Sequence, residues 1–208
     1  VAVVAGRERI CMALHDGIIQ SISGVGLAME NIQHMLGDSE TQTKNRVKHA
    51  IDDLNQVIRD IRAYILDLRP RQMNNENLLD GLKRLASEYR ANTLASATVN
   101  GSKAKLDHLP PSHGMALFHI CQESLANVAK HAAAKRVSVN VWTTDERVVM
   151  EVRDNGKGFD TDKMNKSIGH GLANMQTRVR AVGGEVDISS APGEGTTILA
   201  WVPRRAVG

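Results

Sequence analysis

Two long apolar stripes in the first third of the chain limit its fold more strongly than any other feature. In both stripes, apolar side chains recur every three or four residues, a period typical of α-helices with one apolar face. The first stripe comprises Ile10, Leu14, Ile18, Ile22 (or Ser21), Val25, Met29, Ile32 and Leu36. The second comprises Val47, Ile51, Leu54, Ile58, Ile61, Ile65 and Leu68, and it stops before Pro70. The pattern predicts two helices of about 30 residues, each roughly 45 Å long.

A short break separates the two predicted helices. Gly37 and Asp38 interrupt the pattern, and Ser39 is a candidate N-cap for the second helix. One hairpin of two helices cannot bury both of its stripes, whereas two hairpins together form a four-helix bundle with a closed core. We therefore expect residues 1–72 to form a dimerisation domain and the chain to be a homodimer.

The pattern changes after this region, in residues 76–208. Shorter helices are predicted at 75–90, 111–134 and 172–184, and a short strand at 96–102. Alternating apolar and polar residues predict one hairpin at 136–156 and a second at 184–203. Helices and neighbouring strands in this order favour a two-layer α+β sandwich. The predicted fold class is thus α followed by α+β.

Composition excludes several classes of protein. The chain is 42% hydrophobic and 24% charged, which is typical of a globular protein. Its net charge of +3 includes no dense basic cluster interleaved with aromatic residues, which argues against nucleic acid binding. Cys11 and Cys121 lack metal-ligand spacing and are expected to be reduced thiols.

No apolar run approaches the roughly 20 residues that span a bilayer, so we expect no membrane contact from this segment. The chain begins without Met, inside a predicted helix. It is therefore expected to be a cytoplasmic fragment of a longer protein whose upstream part is missing.

The stretch EVRDNGKGF is the first candidate binding motif. Asp154 ends a predicted strand, and Gly156 and Gly158 follow it. Glycine allows a ligand to approach the backbone closely, and a carboxylate at this place can accept a hydrogen bond from an exocyclic amine such as N6 of adenine. An ordinary turn after a strand has the same pattern and is an equally good interpretation of this motif alone.

Two further segments contain residues suited to phosphate and metal binding. Glu123 and Asn127 lie one turn apart on a predicted helix, and an Asn oxygen suits Mg²⁺. Lys130 and His131 follow one turn later, where they could face phosphates; a solvated polar helix face is the alternative.

Glycines also precede the next predicted helix. Gly169 and Gly171 lie at its start, where free N–H groups bind phosphate oxygens. A single GxG before a helix is weak evidence, and the GEGT segment at 193–196 resembles a hairpin turn.

The order of these motifs resembles the Bergerat ATP-binding fold of the GHKL superfamily, over about residues 76–203. The resemblance implies an ATP–Mg²⁺ site in which Asp154 selects adenine, Thr196 assists through water, Asn127 holds Mg²⁺ and Glu123 supports it. The remaining implied contacts with the nucleotide, pocket and lid are Lys130, His131, Gly156, Gly158, Gly169, Gly171 and Leu172.

The stretch LHDGIIQ in the first helix then resembles the HDxxxQ subclass of sensor histidine kinases, which includes the nitrate-sensor-like and desaturase-control-like kinases. This resemblance implies that His15 is the phosphoacceptor, that Asp16 orients it and takes its proton, and that Gln20 positions water to dephosphorylate a response regulator. It also implies an upstream sensor domain. Met12 and Ala13 depart from the subclass, because an Arg and an acidic residue usually occupy these positions.

Two other functions remain open from the sequence. The chain could be a GHKL serine kinase or plain ATPase whose helices only dimerise. It could instead be a non-catalytic ATP-binding scaffold. The HDxxxQ spacing argues against the first, and the presence of Asp154, Asn127 and the glycines argues against the second.

Overall fold

The computed structural model divides the chain into two compact units, Val1–Pro70 and Arg71–Gly208. Only the backbone is described for residues 14–16, 63, 66–68, 170 and 172. The structure describes residues 14–36, 41–68, 73, 76–93, 95–102, 106, 108–160 and 170–205. The interpretations made for Met12, Ala13, Ser39 and Gly169 lie outside the described residues.

The first unit is helical. A π-helical turn, π1 (Leu14–Ile19), leads directly into α1 (Gln20–Met35), and α2 (Thr41–Leu68) follows. Its core cluster consists of Ile19 from π1 and Ile58 and Ile65 from α2, with Ile22 and Ile61 packed against it. The period of the α2 stripe therefore correctly predicted which face of that helix is buried within the chain.

The apolar surface of the first helical segment is wider than one stripe. Ile18, Val25 and Ile32 belong to the predicted stripe, yet they are 46%, 53% and 50% exposed. The residue that packs most deeply against α2 is Ile19, which the predicted stripe omitted. Spacings of three and four do not distinguish two adjacent faces of one helix. The predicted stripe therefore combined residues of the face that packs against α2, such as Ile22, with residues of an exposed face, such as Val25.

The second unit begins with α3 (Leu78–Thr93), whose start is held by local hydrogen bonds. Asn77 Oδ1 accepts a hydrogen bond from the N–H of Asp80 at 3.1 Å, and Asn77 Nδ2 donates to the Asp80 carboxylate at 2.7 Å. This is N-capping by an asparagine, which supplies an acceptor to a backbone donor that has no partner within the helix. Just upstream, Glu76 accepts hydrogen bonds from Arg84 at 2.7 and 3.0 Å and so ties the chain before the helix to its second turn.

A five-stranded sheet forms one layer of this unit. The strands are β1 (Ser96–Asn100), β2 (Arg136–Thr143), β3 (Arg147–Asp154), β4 (Glu185–Ala191) and β5 (Gly195–Pro203). Their spatial order is β1-β2-β3-β5-β4, with β1 and β2 parallel and every other pair antiparallel. Both predicted hairpins are therefore present, but β5 lies between β3 and β4, a long-range pairing that the local pattern did not contain.

Helices cover one face of the sheet. They are α3, α4 (Pro111–Asn127) with its π-helical extension π2 (Val128–Ala132), and α5 (His170–Arg180). Alternate residues of β2 and β3, including Val139, Val148 and Met150, are fully buried, as a strand with one covered face requires. Side chains of the other face are more exposed, as for Trp142 and Leu199 at 43% and 37%.

Two smaller expectations concern the cysteines and the membrane. Cys121 is a free thiol buried in α4, and burial raises its pKa to about 12, which keeps it protonated and unreactive. Cys11 lies outside the described residues. Within the described part of the chain, no helix has both the length and the apolar character needed to cross a bilayer.

Candidate functional site

A cavity of about 400 Å³ opens in the second unit between the helical layer and the sheet. Six residues named from the sequence line it: Asn127, His131, Asp154, Gly158, Gly171 and Thr196. They come from α4, π2, the end of β3 and the loop after it, α5, and β5. Segments far apart in sequence thus meet around one space large enough for a small organic ligand.

Asp154 is the buried acidic group of this cavity. Asp154 is only 4% exposed, and its Oδ1 accepts a hydrogen bond of 2.7 Å from the N–H of Gly156. Burial raises the pKa of Asp154 above its ordinary value, while the Gly156 N–H and the hydroxyl and N–H of Thr196 act to lower it. A desolvated carboxylate held in this way is a strong, fixed acceptor for a ligand N–H group.

The loop after Asp154 passes through a narrow space that only glycines fit. Gly158 has φ +58°, and a Cβ there would collide with the carbonyl oxygen of Ala191 and lie 2.9 Å from that of Gly195. At Gly156, a Cβ would collide with the carbonyl oxygen of Ala132. The glycines of the DxGxG motif are therefore required where the loop is pressed between the end of π2 and the β4–β5 hairpin.

Backbone hydrogen bonds hold the same loop on both sides. The N–H of Lys157 donates to Ala132 of π2 at 2.8 Å, and the carbonyl of Lys157 accepts from Gly193 of the hairpin at 2.7 Å. Lys157 also lines the cavity. Backbone hydrogen bonds thus join the loop after Asp154 to π2 on one side and to the β4–β5 hairpin on the other. They fix Asp154 relative to the helix that carries Asn127.

The helix that carries Asn127 changes its winding at this point. It continues as the π-helical turn π2 and ends at Ala133, which has φ +50°. Asn127, Val128, His131 and Ala132 all line the cavity. π-helical turns are uncommon in proteins, but those that occur are often found at functional sites. Both of those described in this chain contain residues named from the sequence: π2 contains Lys130 and His131, and π1 contains His15 and Asp16.

Three other residues named from the sequence do not line this cavity. Glu123 instead contacts α5, because a Cβ at Gly171 would collide with its carboxylate Oε1. Lys130 is exposed and is not among the lining residues, and Gly156 lies behind Asp154. For Leu172 only the backbone, within α5, is described.

Several lining residues were not identified from the sequence. Val152, Ile188 and Ile198 form an apolar wall, and Ser124, Lys157 and Phe159 complete the lining. Strand periodicity indicated that the three apolar residues point inward, but it could not distinguish a cavity wall from packed core. Asn155 was also missed: its Oδ1 accepts from the backbone N–H groups of Lys135 and Arg136 and so anchors the start of β2.

The residues named in the helical unit are placed on one short segment. His15 and Asp16 lie in π1, and their side chains are outside the description. Gln20 is the first residue of α1 and is exposed. Nearby, the hydroxyl of Ser21 donates to the carbonyl of Gly17 at 2.8 Å.

Two family models match this chain. Residues 6–73 match the model described as histidine kinase, and residues 113–206 match that of the histidine kinase-, DNA gyrase B- and HSP90-like ATPases. Together they cover more than half of the chain. The chain belongs to the histidine kinases. Its second unit accordingly has the GHKL ATPase fold, and every residue that lines the cavity lies within the segment matched by the ATPase model.

Curated relatives agree with this assignment over nearly the whole of this histidine kinase chain. The sensor histidine kinase MctS of Rhizobium johnstonii is 33% identical over 96% of the chain, and LiaS of Bacillus subtilis is 28% identical over 95%. DegS of Brevibacillus brevis, named as a histidine-protein kinase/phosphatase, is 29% identical. The chain spans about half the length of these relatives, at 43%, 54% and 51% respectively.

A solved structure supports the fold of the histidine kinase chain. The histidine kinase domain of the blue-light activated kinase of Erythrobacter litoralis EL346 matches with a TM-score of 0.53. The match covers 88% of this chain and 96% of that domain at 16% identity. At this identity the likeness concerns the fold alone.

Proposed function

We propose that this chain is the catalytic core of a sensor histidine kinase that transfers the γ-phosphoryl group of ATP to His15. The observation that carries the proposal is the meeting of Asn127, Asp154, Gly171 and Thr196 around one cavity, on a chain whose helical unit contains the HDxxxQ motif. Membership of the histidine kinase family supports this activity over a plain ATPase or a scaffold.

Adenine selection is assigned to Asp154. The carboxylate faces the cavity while Gly156 and Thr196 hold it in place from the protein side, so its remaining lone pairs are directed to a ligand. An amino group such as adenine N6 matches an acceptor-only carboxylate, and the wall of Val152, Ile188 and Ile198 matches the apolar faces of a purine.

The residues present also fit a magnesium ion bound together with phosphates. Asn127 offers an amide oxygen at the cavity wall, and the described residues contain no cluster of three or more His, Cys, Asp or Glu side chains that forms a metal cage. Mg²⁺ usually takes one or two protein oxygens and completes its shell with phosphate and water. We assign Asn127 as its protein ligand, with Glu123 in support beside Gly171. The ion, when bound, neutralises charge on the phosphates.

Phosphoryl transfer then requires a nucleophile and a base. A neutral imidazole of His15 attacks the γ-phosphorus, the bond to the β–γ bridging oxygen breaks, and ADP leaves. Asp16, the adjacent residue, orients the ring and accepts the proton that the ring loses. Gln20 is assigned to a separate reaction, in which it positions water for hydrolysis of the phosphoaspartate of a response regulator.

A homodimer is proposed for the helical unit. Ile18, Val25 and Ile32 are about half exposed in the single chain and recur every seven residues, the heptad spacing of helices that pack against a partner helix. Met35, at 85% exposed, extends the same face. A second hairpin covering this face would complete a four-helix bundle.

Radiolabelling tests the proposed activity. Incubation with Mg–[γ-³²P]ATP is expected to label the protein through an acid-labile, base-stable phosphoryl group, and His15→Gln is expected to abolish the label. His34→Gln is the matched control, because His34 is another exposed histidine near the end of α1 and should leave labelling unchanged.

Each contrary result identifies a different error. Labelling that persists in His15→Gln would mean that the acceptor is another residue. An acid-stable label on serine would indicate a serine kinase, and Mg–ATP binding without any label on the wild type would indicate a plain ATPase or a scaffold. Incubating the labelled protein with candidate receiver domains identifies the regulator by transfer of the label.

A further inference from the structure

Ser190 joins three parts of the nucleotide site. It is the penultimate residue of β4 and pairs with Thr196 of β5. Its hydroxyl donates to the carbonyl of Gly195 at 2.8 Å, accepts from the N–H of Phe159 at 3.0 Å, and lies 3.2 Å from Thr196 Oγ1. One side chain thus bonds both strands of the hairpin and the loop that follows Asp154.

These contacts place Ser190 behind the residues that face the ligand. Thr196 and Phe159 line the cavity, whereas Ser190 is half-buried and does not. Any effect of Ser190 on a nucleotide must therefore pass through the side chain of Thr196 and the backbone of Phe159.

The hydroxyl protons of Ser190 and Thr196 have a preferred order. Thr196 has one hydroxyl proton and two acceptors, Asp154 and Ser190. The carboxylate is the stronger acceptor, because hydrogen bonds to charged groups are the stronger ones. The single Ser190 proton goes to the Gly195 carbonyl at 2.8 Å, so the contact of 3.2 Å with Thr196 Oγ1 fixes where that oxygen lies and not the direction of its proton.

We propose that Ser190 is a positioning residue for adenine recognition: its contact with Thr196 Oγ1 keeps the Thr196 hydroxyl beside Asp154, where it orients the carboxylate so that the lone pairs on the cavity side accept from an exocyclic amine. The inference rests on the proposed ATP-binding function. Without the Ser190 hydroxyl, the Thr196 side chain loses the neighbour that holds its hydroxyl oxygen in place, and the site loses selectivity for an amino group over a carbonyl.

Calorimetric titration of the whole chain with Mg–ADP and Mg–IDP tests the proposal. Inosine carries a carbonyl oxygen where adenosine carries the 6-amino group, so the ratio of the two dissociation constants measures selectivity at that position. Ser190→Ala is expected to weaken ADP binding roughly tenfold and to lower the selectivity ratio about fivefold or more. Ser190→Thr keeps the hydroxyl and is expected to restore the ratio.

Ser189→Ala is the matched control. Ser189 is the preceding residue of β4, is exposed, and points to the other face of the sheet, so its substitution should leave both dissociation constants within about twofold. Fluorescence of Trp142 and Trp201, both in the second unit, monitors whether each variant is folded. If Ser190→Ala does not fold, Ser190→Cys replaces it, and its weaker S–H donor should lower the ratio by a smaller factor.

The outcomes separate the two levels of inference. Equal weakening of ADP and IDP, with an unchanged ratio, would show that Ser190 only holds the loop and would overturn its role in selectivity. An unchanged ratio in a folded Ser190→Cys variant would do the same. If wild-type protein binds neither nucleotide, the proposed function itself fails.

Discussion

Replacing Asp154 by Asn should reduce nucleotide affinity while making the empty protein more stable. The variant keeps the shape of the side chain and retains one carbonyl oxygen to accept from Gly156, a bond of 2.7 Å in the wild type. It removes the negative charge and exchanges the second oxygen for an NH₂ group. That group donates toward the cavity, where the adenine amine also donates.

The loss in affinity follows from the hydrogen bond removed. A bond to a charged group contributes about 1.5–3 kcal/mol, which corresponds to roughly 10- to 150-fold in the dissociation constant. The opposed donors place the expected value toward the upper end of this range. Calorimetry with Mg–ADP measures it, and Asp187→Asn, an exposed aspartate on β4 away from the cavity, is the control and should bind like the wild type.

The stability change has the opposite direction, and its pH dependence is specific. Burial raises the pKa of Asp154 in the folded state, so the folded state holds its proton at pH values where the unfolded state has lost it. Wild-type stability therefore falls relative to Asp154→Asn as pH rises from about 4, the unfolded value, through the raised folded pKa. Below about pH 4 the two proteins should differ least.

Thermal unfolding across this pH range, without nucleotide, tests the direction. The variant should have the higher melting temperature at pH 7, and the difference should shrink on acidification. Binding within twofold of the wild type would refute the assignment of Asp154 to adenine. A variant less stable than the wild type at pH 7 would refute the reasoning from burial.

Three further predictions concern other parts of the chain. Gly158→Ala should lower the unfolding free energy by more than Gly193→Ala does. Positive φ costs alanine about 1–3 kcal/mol at both positions, but only at Gly158 do backbone oxygens also lie where the Cβ would be. Equal losses in urea unfolding would contradict this. Val25→Glu should weaken dimerisation by at least about 100-fold in analytical ultracentrifugation, since it places two charges in the proposed bundle core. Ser23→Glu, on the opposite side of α1, should not. An unaffected dimer in Val25→Glu would exclude the face of Ile18, Val25 and Ile32 as the dimer interface. Gln20→Ala should spare autophosphorylation and slow regulator dephosphorylation by about tenfold or more; equal losses in both assays would show that the two roles are not separable.

Local patterns predicted most elements of this chain because the physical rules that they reflect are local. The spacing of Ile51, Ile58 and Ile65 identified the buried face of α2. Alternation in 136–156 identified a hairpin, since successive side chains of a strand point to opposite faces. The merged stripe of the first helix shows where this reasoning ends, because the separation of Ile19 from Ile18 depends on which surface the other helix covers.

Long-range pairings required the tertiary structure. No local signal places β5 between β3 and β4, or β1 parallel to β2 across the whole of α4. These pairings bring Thr196 beside Asp154 and put Ser190 within reach of Phe159. For the same reason the sequence motifs include six residues that line the cavity but not Ser190, whose contacts lie up to 31 residues away along the chain.

The sequence by itself determined which chemical groups this protein has and the order in which they occur: a histidine and an aspartate in a helical segment, an ExxxN helix, and an aspartate followed by spaced glycines. Periodicity and residue chemistry are sufficient for that. The tertiary structure decided which of these groups share one cavity, that Asp154 is buried and Lys130 exposed, and that the glycines are required by colliding backbone oxygens. Burial and close packing depend on what the rest of the chain places nearby, so only the folded protein contains them.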